Sequence, residues 1–350
     1  MSCTDGTSAG RRTGSVNHGR TRVNLALQGG GAHGAFTWGV LDRLLEEPDL
    51  DFAGISGTSA GAINASLLAY GLALGGRTAA QQKLTQFWRR IAALTAMSPM
   101  QPTAIDRWFG FGKLQFSPAY WALELSSRLF SPYDFNAFDV NPVRETLSQC
   151  IDFDVLRDIN GPPLFISATN VREGRVKIFR RPEMSLEAVL ASTCLPFLHR
   201  AVEIEGEAYW DGGYLGNPAV LPLYEETDCR DILVVQVNPT TVDEVPTTAQ
   251  DIFDRMNTIT FNAGLMRELH ALQTAVHEAH ECDNEEPVRL HRIHGDDALR
   301  GLGVSSKLNA DWRFLRHLRD VGRATAEDWL SEHRPALGQH STLEPMAMYV

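Results

Sequence analysis

The chain reads as an α/β protein with a mainly parallel sheet, and three observations predict this. A short apolar run, Val23-Asn24-Leu25-Ala26-Leu27, enters a glycine-rich turn and then an amphipathic pattern. The same order recurs one crossover later. Phe52-Ala53-Gly54-Ile55-Ser56 enters Gly57-Thr58-Ser59-Ala60-Gly61, and good helix formers follow. Only about 36 residues separate Val23 from Ser59, room for one βαβ crossover and so for two parallel strands.

Composition bounds the rest. The 350 residues are 43% hydrophobic and 21% charged, enough to build one large domain or two. A net charge of −11 supplies no basic stripe for phosphates and argues against nucleic acid as a partner. The five cysteines (Cys3, Cys150, Cys194, Cys229, Cys282) are scattered, with no C-x-x-C, and read as free thiols. No apolar run reaches the ~18 residues of a membrane span. Residues 1–21 are rich in Ser, Thr, Gly and Arg without an apolar stretch. They predict a disordered tail rather than a secretory signal, in a cytoplasmic protein that meets membranes at most peripherally.

The first strand ends in Gln28-Gly29-Gly30-Gly31-Ala32-His33-Gly34, after which Phe36, Val40, Leu41, Leu44 and Leu45 mark a helix ending near Glu47-Pro48. Strand, glycine turn and helix present bare backbone N–H groups to a phosphate or an oxyanion. Gly29, Gly31 and Gly34 also match the G-x-G-x-x-G dinucleotide fingerprint, with Asp49 and Asp51 downstream. The ribose-binding acid of that motif belongs at the far end of the second strand, where Ser56-Gly57 stands instead. There Gly57-Thr58-Ser59-Ala60-Gly61 has the G-x-S-x-G form of a nucleophile elbow. Such a turn puts Ser59 at its tip, beside the unpaired N–H groups and positive dipole end of the next helix. A plain N-cap is the other role open to Ser59. An α/β-hydrolase places its elbow after several strands and its His late, so an elbow this early points away from that layout.

Helix is predicted from the elbow to about Leu74, and again from after Gly75-Gly76 through Trp88 to Leu94. Residues 96–140 hold ten of the thirty aromatics, broken by Gly and Pro. They form either a satellite core under a long insertion or a lid and acyl-chain surface. Residues 142–158 read as helical, 163–170 as a buried strand with a hairpin partner at 175–179, and Met184–Ser192 as a short helix. Val202–Ile204 and Ala208–Trp210 flank Glu205-Gly206 as a hairpin. It delivers Asp211-Gly212-Gly213, either a functional carboxylate at a strand end or an ordinary Asp-Gly turn. Ile232–Val237 is a buried strand and 248–281 a long amphipathic helix. On that helix His277-Glu278-Ala279-His280 lacks the H-E-x-x-H spacing and reads as an exposed polar face, not a metal site. A strand near Val288–Ile293, a helix at Trp312–His333 and a tail after Pro335 complete the chain.

Four pieces therefore stand in order: Gly29-Gly30-Gly31-Ala32-His33-Gly34, Gly57-Thr58-Ser59-Ala60-Gly61, Ala191-Ser192-Thr193-Cys194-Leu195-Pro196-Phe197 and Asp211-Gly212-Gly213. Together they resemble the patatin-like phospholipase family over roughly residues 22–240. The resemblance implies a three-layer α/β/α fold with a Ser–Asp dyad and no catalytic His. Matched residue by residue, Ser59 is then the nucleophile and Asp211 the base. Gly29, Gly30 and Gly31 form the oxyanion loop, and Gly34, Gly57, Gly61, Gly212 and Gly213 support it. Relatives often carry Arg or Lys where His33 stands, so His33 either lends a donor or caps the helix start. The catalytic domain would span 22–240 with 96–140 as insertion or lid. A mainly helical 241–335 would pack on it, ahead of a tail at 336–350.

The implied substrate is a lipid or phospholipid acyl ester met at a membrane surface, cleaved without a cofactor or metal in the manner of a phospholipase A or lysophospholipase. A soluble carboxylesterase is the first alternative, and a nucleotide-binding protein using Gly29–Gly34 the second. The third, a catalytically dead scaffold, sits poorly with an intact set of motifs. Oligomeric state is left open.

Overall fold

The first strand forms as Thr21–Leu27 (β1), and its alternation divides the core in two. Val23, Leu25 and Leu27 belong to the larger apolar cluster and Ala26 to the smaller one. A parallel strand buried on both faces is nearly continuously apolar for this reason, the exception here being buried Asn24. The computed structural model describes residues 20–98, 100–110, 112–136, 139–280 and 286–343, without the side chains of 109, 128 and 275–280. Most of the tail expected at 1–21 and the side chains of His277 and His280 thus lie outside the described residues.

Seven further strands join β1 in one sheet: β2 (Leu50–Gly57), β3 (Leu164–Asn170), β4 (Arg175–Arg180), β5 (Val202–Ile204), β6 (Glu207–Asp211), β7 (Asp231–Gln236) and β8 (Arg289–His294). Their order is β5-β6-β3-β2-β1-β7-β8, with β4 also on β3. Strands β3, β2, β1, β7 and β8 run parallel, β4 and β6 each pair antiparallel with β3, and β5 pairs antiparallel with β6. The strand order reverses at β1, so the loop leaving its C-terminal end faces a crevice of the kind that binds ligands in open α/β sheets.

Helices cover both faces. On the first lie α1 (Gly34–Leu44) and α2 (Ala60–Thr95), the latter kinked where Gly75 and Gly76 leave helical geometry at the predicted break. Three short helices follow, α3 (Ala104–Phe109), α4 (Pro118–Leu129) and α5 (Pro132–Phe135), then α6 (Pro142–Cys150), α7 (Phe153–Asp158) and α8 (Leu186–Ser192). On the second face α9 (Leu221–Glu226) and α10 (Ala249–His280) bury Leu223, Leu265, Leu269 and Leu272. Short α11 (Asp296–Leu299) and α12 (Val304–Lys307) precede α13 (Trp312–His333), which returns to the first face and buries Leu315, Leu318 and Leu330 in the larger cluster. The result is the three-layer α/β/α architecture.

Two regions carry more than the sequence pattern alone specifies. The stretch 241–335 does more than pack on a finished domain. Its strand β8 pairs along the whole of β7, closing an edge that would otherwise expose unpaired backbone groups. The chain then continues past Pro335, and Leu343 is buried with its N–H donating to the Leu290 carbonyl at 3.0 Å. The second region is 96–140. Of its seven aromatics with described side chains only Tyr120 is buried, while Trp108, Phe116, Trp121, Phe130, Tyr133 and Phe135 are exposed. Thr103, Ser117 and Ser131 cap its three helices locally, and among the described residues none of their side chains belongs to either apolar cluster. No described helix is long and apolar enough to cross a membrane.

Candidate active site

The elbow forms at the end of β2. Ser59 has φ 56° and ψ −124°, left-handed backbone that a non-glycine residue adopts only under constraint. The constraints are visible. Thr58 N–H donates to the Leu27 carbonyl at 3.2 Å, and Thr58 Oγ1 to the Gly216 carbonyl at 2.7 Å. Ser59 N–H donates to Ser192 Oγ at 2.9 Å. Gly61 lies so close to the Leu27 carbonyl that a Cβ there would collide with it. Ser59 stands at the N-cap position of α2, but its side chain makes no capping bond, which leaves the hydroxyl available.

Sheet register brings the aspartate to this point. β4 occupies one edge of β3 from Phe165 to Asn170. On the other edge β2 pairs as far as Ile166, and β6 takes over from Ala168. Asp211, opposite Ala168, therefore lies just beyond the end of β2, beside the elbow. Its N–H donates to the Cys194 carbonyl at 2.8 Å, and its Oδ1 accepts from Gly213 N–H at 2.7 Å. The segment Ala191–Phe197 thus acts as a bracket, with Ser192 on the serine and Cys194 on the aspartate. Asp211 is fully buried, and its Oδ2 has no hydrogen-bond partner of good geometry among the described residues. Burial pushes its pKa up to about 7, against the opposing pulls of Gly213 N–H, the nearby Ser59 hydroxyl and the charge of Lys307.

The glycine loop closes over the same place. A Cβ at Gly29 would stand 2.5 Å from Ser59 Cβ, so only glycine lets the loop lie on the elbow. Gly29 does not present its own amide, however. Its N–H donates to Asn217 Oδ1 at 2.7 Å, and its carbonyl accepts from Asn238 Nδ2 at 2.8 Å. The expected trio of donors is corrected to this extent: with the Gly29 peptide clamped from both sides, the N–H groups of Gly30 and Gly31 are the ones without a partner among the described residues. Beneath the clamp lies a buried carboxamide network that the sequence reading missed. Gln28 Oε1 accepts from the N–H groups of Val237 and Asn238 at 3.0 and 2.8 Å, and Gln28 Nε2 donates to Asn262 Oδ1 at 2.8 Å.

His33 is 2% exposed, and its Nε2 meets Ser306 Oγ at 2.8 Å. It does not cap α1 through its side chain. Burial, helped by the Lys307 charge, drives its pKa down to about 3, so the ring is neutral. The dinucleotide alternative loses its acid, because Asp51 sits at the start of β2, at the opposite end of the strand from the glycine loop. There it is paired with Arg20 at 3.3 Å and Arg77 at 3.1 Å.

The chain is similar to VipD from Legionella pneumophila, whose crystal structure it matches with a TM-score of 0.46 and 18% identity over 89% of this chain and 67% of that one. No curated protein sequence matches it. A sequence model of the family described as patatin-like phospholipase matches residues 25–224, which run from β1 through α9 and contain the glycine loop, the elbow and Asp211. That match covers more than half of the 350 residues, and the chain belongs to the patatin-like phospholipase family.

Proposed function

We propose that this chain is a lipid acyl hydrolase that cleaves a carboxylic ester through an acyl-enzyme on Ser59, with Asp211 as base. One juxtaposition carries the reading. A constrained serine at the start of α2 meets a buried aspartate with one unpartnered oxygen, beside the open N–H groups of Gly30 and Gly31. A carboxylate with a pKa of about 7 suits proton transfer at neutral pH far better than an ordinary one near 3.9.

In this mechanism Ser59 Oγ attacks the ester carbonyl as its proton passes to Asp211. The carbonyl oxygen becomes an oxyanion facing the Gly30 and Gly31 N–H groups and the start of α2, where one such donor is worth about 3–4 kcal/mol. Collapse expels the alcohol, which takes the proton from Asp211. Water then repeats both steps on the acyl-enzyme and releases the fatty acid. The substrate we assign is a phospholipid or lysophospholipid. The exposed aromatics of α3–α5, with Ile252, Met256 and Ile259 on α10, are the surface assigned to the bilayer.

The test is hydrolysis of mixed-acyl phospholipid vesicles in EDTA by wild type, Ser59→Ala and Asp211→Asn, with a short-chain ester alongside. Wild type is expected to release fatty acid, and both variants to lose at least about 1,000-fold while still melting cooperatively. Cleavage of the short ester alone would make the protein a carboxylesterase. Full activity in either variant would overturn the dyad.

A further inference from the structure

Helix α12 belongs to a stretch without a motif, yet it lies directly on the glycine loop. The Lys307 carbonyl packs against Gly31 so closely that no Cβ fits there, and Ser306 holds the His33 ring. The Lys307 ammonium donates to Asn238 Oδ1 at 2.8 Å and Asn257 Oδ1 at 3.2 Å, and stands 5.4 Å from the centre of the Phe261 ring. With its oxygen engaged by Lys307, Asn238 turns its amide nitrogen to the Gly29 carbonyl. Among the described residues no carboxylate lies within ion-pair distance of this lysine. The charges that reach it are those of Asp254 on α10, itself also felt by Lys113, and Asp211 at the end of β6, while neutral His33 faces it from the loop. Part of the side chain keeps contact with solvent, yet protein crowds its ammonium enough to pull the pKa down to about 8. An apolar side chain would fill the space without desolvating a charge, so packing alone does not account for an ammonium here.

We propose that Lys307 is a positioning residue for ester cleavage: its ammonium orients the Gly29–Gly31 loop through Asn238 and holds a positive charge towards Asp211 and the ester oxygen. This rests on the Ser59–Asp211 reading. It makes the loop's electrostatics depend on a residue from the last sixth of the chain.

The experiment compares wild type, Lys307→Met and Lys307→Arg on a short-chain p-nitrophenyl ester from pH 5 to 10, with labelling of Ser59 by a fluorophosphonate and thermal melts. Wild type is expected to gain activity through about pH 7 as Asp211 ionises, and to lose it through about pH 8 as Lys307 gives up its proton. Lys307→Met is expected to lower kcat roughly tenfold to a hundredfold with little change in KM. It should also move the acid limb above that of wild type, because a nearby cation no longer favours the carboxylate, without lowering Tm. Lys307→Arg should keep most of the activity and lose the alkaline limb, since its guanidinium stays charged. A flat wild-type profile between pH 8 and 10, or Met and Arg variants that behave alike, overturns the proposal. If Lys307→Met does not fold, the wild-type and Arg profiles decide. Failure of Ser59 to label in wild type removes the underlying reading and the proposal together. Normal labelling with Lys307 variants indistinguishable from wild type removes the proposal alone.

Discussion

The glycine loop with its elbow and the helices α3–α5 are built on opposite principles. Around Ser59 almost everything is backbone, held by buried carboxamides, and Ser59 itself is 8% exposed. In α3–α5 the backbone is secured by local caps, and large apolar side chains stand in water, Trp108 at 80% exposure. The first region has no slack, because each peptide has a set orientation that a neighbour enforces. The second has little to lose, because its side chains contribute almost nothing to a core. Substitutions should therefore act in different currencies in the two places: stability together with chemistry in one, encounter with a lipid surface in the other.

The strongest way to break that contrast is Gly61→Ala. One methyl group would drive into the Leu27 carbonyl and spread β1 from α2, at an expected cost of about 3–5 kcal/mol in chemical denaturation, with hydrolysis lost as well. A variant that melts like wild type would show the loop to be far more yielding than its contacts imply.

Asp211→Asn separates stability from chemistry. Burial raises the folded-state pKa of Asp211 to about 7, so the folded protein favours the protonated form. Its contribution to stability is therefore full below the unfolded pKa, near 4, and declines as pH rises through 7. The asparagine variant escapes this decline. It should be more stable than wild type by about 2–3 kcal/mol at pH 8, and the gap should close towards pH 4. Equal melting at both pH values would mean that the carboxylate is not desolvated as described.

The smallest effect belongs to Trp108→Ala. Folding stability should change by no more than about 0.5 kcal/mol, while the ratio of vesicle to short-ester turnover falls several-fold. A large loss of stability would place Trp108 in a core after all.

The same contrast explains what could be read from the sequence. The strands at 23–27 and 52–57, the break at Gly75-Gly76 and the hairpin ahead of Asp211 are local. Each follows from a few neighbouring residues, and each stands where it was expected. That Ser59 and Asp211 meet follows from β6 taking over from β2 along one edge of β3, a matter of register that no local pattern encodes. The carboxamide network was illegible for a similar reason. Gln28, Asn217, Asn238 and Asn262 are unremarkable polar residues until folding buries them together. Burial of polar groups is the signal that finds them, and it exists only in three dimensions. The stretch after 240 carried no motif because its part is contact: β8 closes the sheet, and Ser306 and Lys307 lean on the loop.

That placement has a consequence for the making of the protein. The glycine loop emerges from the ribosome among the first segments of the fold, and the residues that brace it are among the last. A nascent chain that has already displayed the elbow and the aspartate still lacks β8, Ser306 and Lys307. It would carry a complete set of motifs on an unbraced loop. Under the proposed mechanism, a product cut short before α12 is expected to hydrolyse esters no faster than Lys307→Met.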